Sequence, residues 1–381
     1  MAGFCAFLTL YAPQPLLPTL AAEFQTSVTG ISNLLTASTL GVALAAAFAG
    51  ILADHVGRKR VIVPAALLLA VPSVLLARAT TLNEMIFWRF WQGVFTPGIA
   101  VVVPAYVNEE WEHGIGSAMG AYVSGTVVGG FSGRIIGGFI AARFSWRAAF
   151  GVLGVIGIVA GLLVWVWLPA GRRFARADST AASIRAMGRH LKNPRLTATY
   201  AVGFCVLFSM LATFTYVNFY LAAPPFGLNP AELGLLFVVY LAGAVASPVA
   251  GRWIDRVGHR VTLLAAYAGA VGGMLLTLIP SLPPILMGLA LCCSAVFVAQ
   301  AASNSYIGTV ASEARAAAVG LYVLFYYVGG SAGAAIPGYF WSRGGWPACV
   351  ALIVGVQLVT ITIASLFWKP VRGRVPVVLS S

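Results

Sequence analysis

The chain has 381 residues, of which 60% are hydrophobic and only 9% are charged. A soluble domain carries about 25% charged residues, so this composition excludes a soluble enzyme and a soluble nucleic-acid-binding protein. The net charge of +13 and the mean hydropathy of +0.91 point to a membrane protein with basic loops. Twelve crossings would take about 32 residues each, enough for about 20 in hydrocarbon and a short loop.

The predicted elements, in chain order, are twelve apolar helices. They cover 2–21, 28–52, 61–77, 85–107, 114–142 and 147–168, and then 196–222, 231–253, 261–279, 285–310, 317–340 and 347–368. Helices satisfy their backbone hydrogen bonds within single segments in lipid. We therefore predict an all-α membrane protein with an N-terminal half at 1–168, a basic linker at 169–195, a C-terminal half at 196–368 and a tail at 369–381. The linker is expected to hold a short amphipathic helix near 179–191 that lies on the membrane surface.

The basic residues are divided unequally between the two sides of the predicted membrane. Of the 23 Lys and Arg residues, 17 fall on the side of the linker, four fall on the other side, and Arg89 and Arg134 fall within spans. By the positive-inside rule, both termini and the linker are cytoplasmic. The first helix begins almost at Met1 without a basic segment before it, so we expect no cleaved signal peptide.

Cysteine and histidine spacing gives no sign of a metal site or a cofactor. The five cysteines lie in apolar runs without CxxC spacing, and the four histidines lie in polar loops. An intramembrane enzyme would need a nucleophile and a base within the spans, and no His, Asp or Glu is predicted there. The chain also lacks a G-x4-G-K-[ST] loop, so direct use of ATP is not expected.

Two sequence patterns recur about 200 residues apart, which indicates an internal repeat. The first is Gly50-x3-Asp54-His55-x-Gly57-Arg58-Lys59-Arg60, which returns as Gly251-x3-Asp255-Arg256-x-Gly258-His259-Arg260. The second is Gly120-x8-Gly129-x3-Gly133-Arg134-x2-Gly137-Gly138, which returns as Gly320-x8-Gly329-x3-Gly333-Ala334-x2-Pro337-Gly338. Parallel repeats with a site between them at the bilayer midplane are typical of transporters.

These patterns resemble the major facilitator superfamily over essentially the whole chain. The Gly50–Arg60 loop is similar to motif A, with a weaker second copy at Asp255, Gly258 and Arg260. Arg89, Gln92 and Gly93 are similar to motif B, and the Gly120–Gly138 pattern is similar to motif C of the drug:proton antiporter branch. The resemblance implies two pseudo-symmetric six-helix bundles, a bacterial inner-membrane location, a small-molecule substrate and proton coupling. One chain supplies both bundles, so we expect a monomer.

The resemblance also implies roles for the motifs. Asp54 is expected to dock on the start of the eleventh helix near Gly320 and to hold the cytoplasmic side shut, with Asp255 as the weaker partner. The glycines Gly120, Gly129, Gly133, Gly137 and Gly138 are expected to pack helix five closely, because small residues four apart let two backbones approach. We expect helices five and eleven to meet there. Position 134 is Arg where motif C normally has Pro, which weakens the inference to antiport.

Charged residues inside spans are the strongest functional signal. A charge in a span faces protein or water and commonly marks a pathway, so Arg89 and Arg134 are predicted to act in transport coupling together with Gln92 and Gly93. Snorkelling of both arginines to the outer headgroups is the alternative. All ten acidic residues map to loops or helix ends. A cavity with arginines and no carboxylate favours an anionic or neutral substrate.

Uncharged polar side chains are predicted to line the cavity, because polar groups at lipid depth need partners. The candidates are Tyr11, Gln14, Asn33, Tyr122, Tyr216, Asn218, Tyr220, Gln300, Asn304, Tyr322 and Tyr326. For each of them a packing role between helices is the alternative.

The favoured function is a secondary transporter that works by alternating access and exports a small organic compound against proton entry. An uncoupled facilitator or an importer is the alternative within transport. A transporter-like sensor or a lipid scramblase is the alternative of another class. A sensor would bind its ligand without moving it, and a scramblase would mix lipids without a substrate.

Overall fold

A computed structural model describes residues 1–111, 114–169, 171, 180–311 and 313–368. Within them, ten helices are long and apolar enough to cross a membrane. One of the ten, Pro230–Leu276, forms two spans because Gly258 breaks it with a φ of 84°. The ten helices therefore provide eleven spans. The first span, which prolines interrupt and which is not among the ten, is the twelfth. The predicted all-helical fold with twelve spans in two related halves is therefore confirmed.

The first half contains spans one to six. In order they are Ala2–Leu8 with Gln14–Leu16 and Leu17–Glu23; Val28–Val56; Arg58–Leu76; Leu82–Phe95 with Pro97–Ala100 and Val102–Glu110; Ile115–Arg143; and Trp146–Trp167. The odd-numbered spans run in one direction and the even-numbered spans run in the other.

The second half contains spans seven to twelve and follows the linker helix Thr180–Leu191. In order they are Pro194–Ala222; Pro230–Leu235 with Leu236–Val239 and the start of Tyr240–Leu276; the rest of Tyr240–Leu276; Leu282–Val310; Arg315–Ala335 with the start of Pro337–Phe367; and the rest of Pro337–Phe367. The last boundary falls at Gly344 and Gly345, whose backbones leave the helical region. The tail 369–381 and residues 172–179 of the linker lie outside the described residues.

We call the two ends of the spans the linker face and the far face. The linker face holds the linker helix and the turns at Gly57 and Gly258, and the far face holds the loops 24–27, 77–81, 144–145, 223–229, 277–281 and 344–345. Four helices that begin on the far face are capped by a polar side chain, which satisfies a free backbone N–H. The caps are Ser27, Thr81, Ser145 and Asn229.

The turns between spans two and three and between spans eight and nine have the same design. Each reverses the chain at one glycine with a positive φ, 101° at Gly57 and 84° at Gly258. A residue with a Cβ rarely adopts this backbone, which explains the glycine that the two copies of the repeat share.

Candidate functional site

The two halves contact each other towards the far face and separate towards the linker face. A Cβ added at Gly138 would strike the backbone of Pro230, and one added at Gly338 would strike Thr29, each in the opposite half. A Cβ added at Gly120 or Gly251, nearer the linker face, would meet no atom within 4 Å. The described contacts between the halves therefore lie towards the far face, and we infer that the space between the halves is a cleft that opens to the linker face.

Small polar groups also join the halves near the closed end of the cleft. The hydroxyls of Thr39 in span two and Ser331 in span eleven are 2.9 Å apart, and the Thr36 hydroxyl lies 3.5 Å from the Ser331 carbonyl. Neutral hydrogen bonds of this kind can break and reform at little cost when the halves move.

Arg134 lies buried at this closed end, on span five. Its Nε donates to Oε1 of Gln14 at 2.7 Å, Nη1 donates to the Gly130 carbonyl at 2.6 Å, and Nη2 donates to the Tyr240 hydroxyl at 3.3 Å. Tyr240 belongs to the second half, so the guanidinium joins the two halves directly. Its side chain is 1% exposed, so the snorkelling alternative is wrong for Arg134.

Aromatic rings surround the Arg134 guanidinium in place of a carboxylate. Its Cζ lies 5.0 Å from the ring centre of Tyr11, 4.5 Å from that of Phe237 and 4.7 Å from that of Tyr240. Ring faces attract cations, and a desolvated contact of this kind contributes about 2 kcal/mol. No carboxylate within the described residues pairs with Arg134, and the Gln14 amide nitrogen beside it has no hydrogen-bond partner. The site therefore has more donors than acceptors.

Arg89 lies away from the cleft, inside the first half, where it caps the break in span one. Pro13 has no N–H, so the Thr9 carbonyl lacks its helical partner, and Gln14 N–H donates to the Tyr11 carbonyl instead of to that of Leu10. Nη1 of Arg89 donates to the Thr9 carbonyl at 2.9 Å, and Nη2 donates to the Leu10 carbonyl. A cation at the end of a helix segment is also favoured by the helix dipole.

The remaining donors of Arg89 bind spans two and four. Nε donates to the Leu34 carbonyl at 3.2 Å, Nη2 donates to the Ser38 hydroxyl at 2.8 Å, and Nη1 donates to Gln92, whose own Nε2 donates to Ser73 at 2.6 Å. The side chain is 0% exposed, so snorkelling is wrong for Arg89 too. A Cβ at neighbouring Gly93 would strike the Ser38 backbone, which makes this a close crossing of spans two and four.

The motif A turn carries an ion-pair cluster on the linker face. Arg58 Nη1 lies 2.5 Å from Asp54 Oδ1, and Arg58 Nη2 lies 2.6 Å from Glu109 Oε1 at the end of span four. Lys59 is half-buried and Arg60 is exposed. In the second copy, His259 Nε2 lies 2.9 Å from the Ser305 hydroxyl of span ten, whereas Asp255 and Arg260 are exposed.

The expected docking of Asp54 on span eleven is not the contact that this structure contains. The Asp54 carboxylate pairs with Arg58, four residues further along the chain at the start of span three. The neighbour of Gly320 is Met187 of the linker helix, whose Cε lies 3.8 Å from an added Cβ. The linker helix therefore rests on span eleven, and Arg189 lies 3.7 Å from Glu313 beside it.

The expectation that spans five and eleven meet along their glycines is wrong. Gly129 and Gly133 face the backbones of Phe4 and Leu8 in span one, and Gly137 lies near the Ala12 carbonyl. The matching Gly329 and Gly333 face Phe204 and Phe208 in span seven. Small residues indicate a close approach of two backbones but not which helix approaches.

The structure brings two of the eleven predicted cavity residues, Tyr11 and Gln14, to Arg134. Several others have contacts within their own half, and the Tyr216 hydroxyl also interacts with Ser32 of span two in the opposite half. The Tyr216 hydroxyl donates to the Ala334 carbonyl at 2.8 Å, the Asn218 amide donates to Phe214 at 2.6 Å, the Tyr122 hydroxyl donates to Ala100 at 3.2 Å, and Tyr220 stacks on Trp346 with ring centres 5.7 Å apart. Asn33 and Gln300 are half-buried, Asn304 is exposed, and Tyr322 and Tyr326 are buried next to each other in span eleven.

Sequence reasoning missed Phe237 and Tyr240. These two aromatic residues lie three positions apart, so they share one face of the eighth span. Such a pair at the far-face end of an otherwise aliphatic helix was the available signal.

Comparison with known proteins gives a consistent family. A family model described as Major Facilitator Superfamily matches residues 1–223 and 204–379. The chain is 31% identical to an uncharacterized MFS-type transporter, YybF, of Bacillus subtilis, over 97% of this chain and 92% of that protein. It is 32% identical to the inner membrane transport protein YnfM of Escherichia coli, over 94% of this chain and 88% of that protein.

Solved structures agree on the fold. The nucleoside transporter NupG superposes with a TM-score of 0.80 at 14% identity, covering 97% of this chain and 98% of that one. A bacterial homologue of the lysosomal transporter Spinster, in an inward-facing and unoccupied conformation, superposes with a TM-score of 0.72 at 14% identity, covering 96% of this chain and 92% of that one.

Proposed function

Because the chain belongs to the major facilitator superfamily, we propose that it is a secondary transporter of the drug:proton antiporter branch. It works by alternating access and exports a small organic compound, anionic or neutral, in exchange for protons. The linker face is cytoplasmic, since 17 of the 23 Lys and Arg residues fall on that side. The protein acts as a monomer in the bacterial inner membrane.

The observation that carries this proposal is the cleft, closed at the far face by Arg134 and open to the linker face. The contact between Arg134 and Tyr240 crosses the two halves at 3.3 Å, so it breaks when the far face opens. A cation that loses its aromatic neighbours at that moment needs a new partner. An anionic substrate, or the polar atoms of a neutral one, supplies that partner.

The sign of the substrate charge follows from what surrounds the cleft. The acidic residues that the structure describes all lie at the ends of spans or in loops, at Glu23, Asp54, Glu84, Glu109, Glu110, Glu232, Asp255 and Glu313. A cationic compound would therefore meet the Arg134 charge without an opposing carboxylate in the interior of the described spans. Repulsion between the Arg134 guanidinium and a cationic compound therefore selects against cationic substrates.

The gate on the linker face is formed by the motif A cluster. In the open state Asp54 is held by Arg58, which also pairs with Glu109. Closure of the linker face would transfer Asp54 to the start of span eleven, where the N-terminal end of the helix favours a negative charge. Met187 of the linker helix has to leave Gly320 for this contact to form.

An uncoupled facilitator or importer is the second candidate. It is favoured by the lack of a carboxylate inside the described spans and by Arg134 at a position where motif C normally has Pro. The two candidates differ in whether a proton moves with the substrate.

The deciding experiment uses purified protein in liposomes that contain a pH-sensitive dye. Anionic, neutral and cationic amphiphiles are added in turn, with and without a pH gradient. Proton movement that depends on an anionic or neutral compound supports antiport, and substrate movement without proton movement supports the facilitator. Binding of a compound without its movement would indicate a sensor, and lipid mixing without substrate would indicate a scramblase.

Arg134→Ala tests the substrate charge in the same liposomes. We expect it to reduce transport of an anionic compound by tenfold or more, because a charge-assisted contact contributes about 1.5–3 kcal/mol. Arg134→Lys keeps the charge and should keep part of the activity. Full transport of an anion by Arg134→Ala would contradict the role of Arg134.

A further inference from the structure

A groove of about 840 Å³ lies on the linker face of the second half, outside the cleft. It is an open groove bordered by the end of the linker helix, the start of span seven and the ends of spans ten and twelve. The proposed transport cycle makes no use of it.

Three cations line one side of the groove, namely Arg189, Lys192 and Arg195. Arg189 has a weak partner, Glu313, at 3.7 Å, and both side chains are largely exposed. Among the described residues, no carboxylate pairs with the charged ends of Lys192 and Arg195. The N-terminus of span seven, which begins at Pro194, adds its partial positive charge. The groove therefore has an unbalanced positive charge.

The opposite side of the groove is mainly apolar and is formed by the ends of spans ten and twelve. Val310 ends span ten, and Leu366 and Phe367 end span twelve. Leu366 is 65% exposed and Phe367 is 41% exposed, although both are hydrophobic. A soluble anion would use the cations but gains nothing from these residues. A phospholipid uses both, because its phosphate and its acyl chains are joined within one molecule.

We propose that this groove binds an anionic phospholipid from the leaflet at the linker face. The phosphate lies against Lys192 and Arg195, and the first part of the acyl chains lies against Leu366 and Phe367.

The test measures lipid binding to the full-length protein in detergent, by native mass spectrometry and by titration with fluorescent phosphatidylglycerol. Phosphatidylcholine is the neutral lipid for comparison, and inorganic phosphate is the soluble competitor. We expect phosphatidylglycerol to bind, and neither phosphatidylcholine nor millimolar phosphate to displace it. Displacement by inorganic phosphate would overturn the proposal in favour of a free anion site.

The double variant Lys192→Gln/Arg195→Gln should bind phosphatidylglycerol about 30-fold more weakly, from the contribution of two cations near an anionic surface. The control is Arg252→Gln/Arg256→Gln, which removes two exposed charges from the same face outside the groove. Equal losses in the two double variants would overturn the proposal, because they would indicate attraction by the whole face.

Leu366→Ser tests the apolar side separately. It should weaken binding of full-length phosphatidylglycerol and leave any binding of glycerol 1-phosphate, which has no acyl chains, unchanged. A variant that binds the lipid like the unaltered protein would contradict the proposed position of the acyl chains. Thermal unfolding in phosphatidylcholine checks that each variant is folded, and transport activity is not needed for any of these outcomes.

Discussion

The two halves of the molecule have the same plan of helices but differ in what fills their centres. Spans four and ten, Leu82–Glu110 and Leu282–Val310, match at an offset of 200 residues. At this offset Arg89 corresponds to Leu289, and both are 0% exposed. Arg134 corresponds to Ala334 in the same way. Among the residues that the structure describes, both buried arginines therefore belong to the first half, and the second half has apolar residues in their places.

For Arg89, the cause of the difference is the first span of each half. Span one is interrupted between Leu8 and Gln14, whereas span seven, Pro194–Ala222, is a continuous helix. A broken helix leaves carbonyls without partners, and Arg89 supplies them with donors. A continuous helix needs no such donor, so a leucine fits at the matching position. The buried charge of Arg89 is thus explained by the backbone of span one.

The second half has a small empty space near this level instead. A cavity of about 10 Å³ is lined by Ser209, Tyr267 and Gln357, among others, and each of these three has a polar atom without a partner. This volume is about that needed for one water molecule. The centre of the first half is therefore filled by the Arg89 guanidinium, whereas the centre of the second half has a cavity that could hold one water molecule.

The largest expected effect on stability comes from replacing Arg89 by leucine, the residue at the matching position of the second half. Arg89→Leu removes the donors to the Thr9 and Leu10 carbonyls and to Ser38. We expect it to destabilise the protein by about 3 kcal/mol or more, because each buried group left unpaired costs about 1–3 kcal/mol. Thermal unfolding in detergent measures the change.

The matched control is Leu289→Met at the corresponding position of the second half. A volume-conserving change in an apolar site should cost less than about 1.5 kcal/mol. If Arg89→Leu lowers the free energy of unfolding by no more than this control does, the carbonyls of span one have other hydrogen-bond partners in the variant. The contacts of Arg89 with these carbonyls would then not explain its burial.

The second prediction concerns the feature in which the halves are alike. Gly133→Ala and Gly333→Ala each place a Cβ against the backbone of the first span of its half, at Leu8 and Phe208. We expect each to destabilise the protein by about 1–3 kcal/mol, since backbone has to shift. Gly120→Ala is the control, because a Cβ there meets no atom within 4 Å. If Gly133→Ala destabilises the protein and Gly333→Ala does not, the close backbone contact is needed only at span one, which is interrupted, and not at span seven.

The arrangement of helices could be predicted from the sequence, because it depends on local properties. Apolar runs of about 20 residues, Gly57 and Gly258 at the turns, and the repeat at Gly120 and Gly320 are all visible without a structure. Pro13, Pro15 and Pro18 in span one are visible in the sequence too, and proline interrupts a helix. The partner of a glycine stripe could not be predicted, because a missing side chain permits contact with any neighbouring backbone.

The polar residues that face the cleft were also beyond prediction. Helices in a membrane bundle have little amphipathic character, so Tyr11 and Tyr216 look alike in the sequence. Only the fold shows that Tyr216 donates to the Ala334 carbonyl and that the ring of Tyr11 covers Arg134. The role of Arg89 depends on the Thr9 carbonyl, which has no helical partner because Pro13 lacks an N–H. Pro13 lies 76 residues before Arg89, so the local motif around Arg89 does not reveal this contact.

The smallest expected effect on stability compares the two motif A turns. Asp54 pairs with Arg58 at 2.5 Å, and Arg58 pairs with Glu109, so the carboxylate belongs to a cluster that joins spans two, three and four. Asp255 is exposed, and spans nine and ten are joined without it by His259 and Ser305. Asp54→Asn should therefore slow transport while changing the free energy of unfolding by less than about 1 kcal/mol.

Asp255→Asn is the matched change in the second half and should slow transport less than Asp54→Asn does. Both variants are assayed in liposomes at low and high salt, since screening weakens an exposed charge more than a clustered one. Equal rates for Asp54→Asn and the unaltered protein would remove the gating role of the first turn. Equal losses of transport rate in the two variants would mean that the two turns have the same role despite their different contacts. The functional difference between the halves would then not extend to the turns on the linker face.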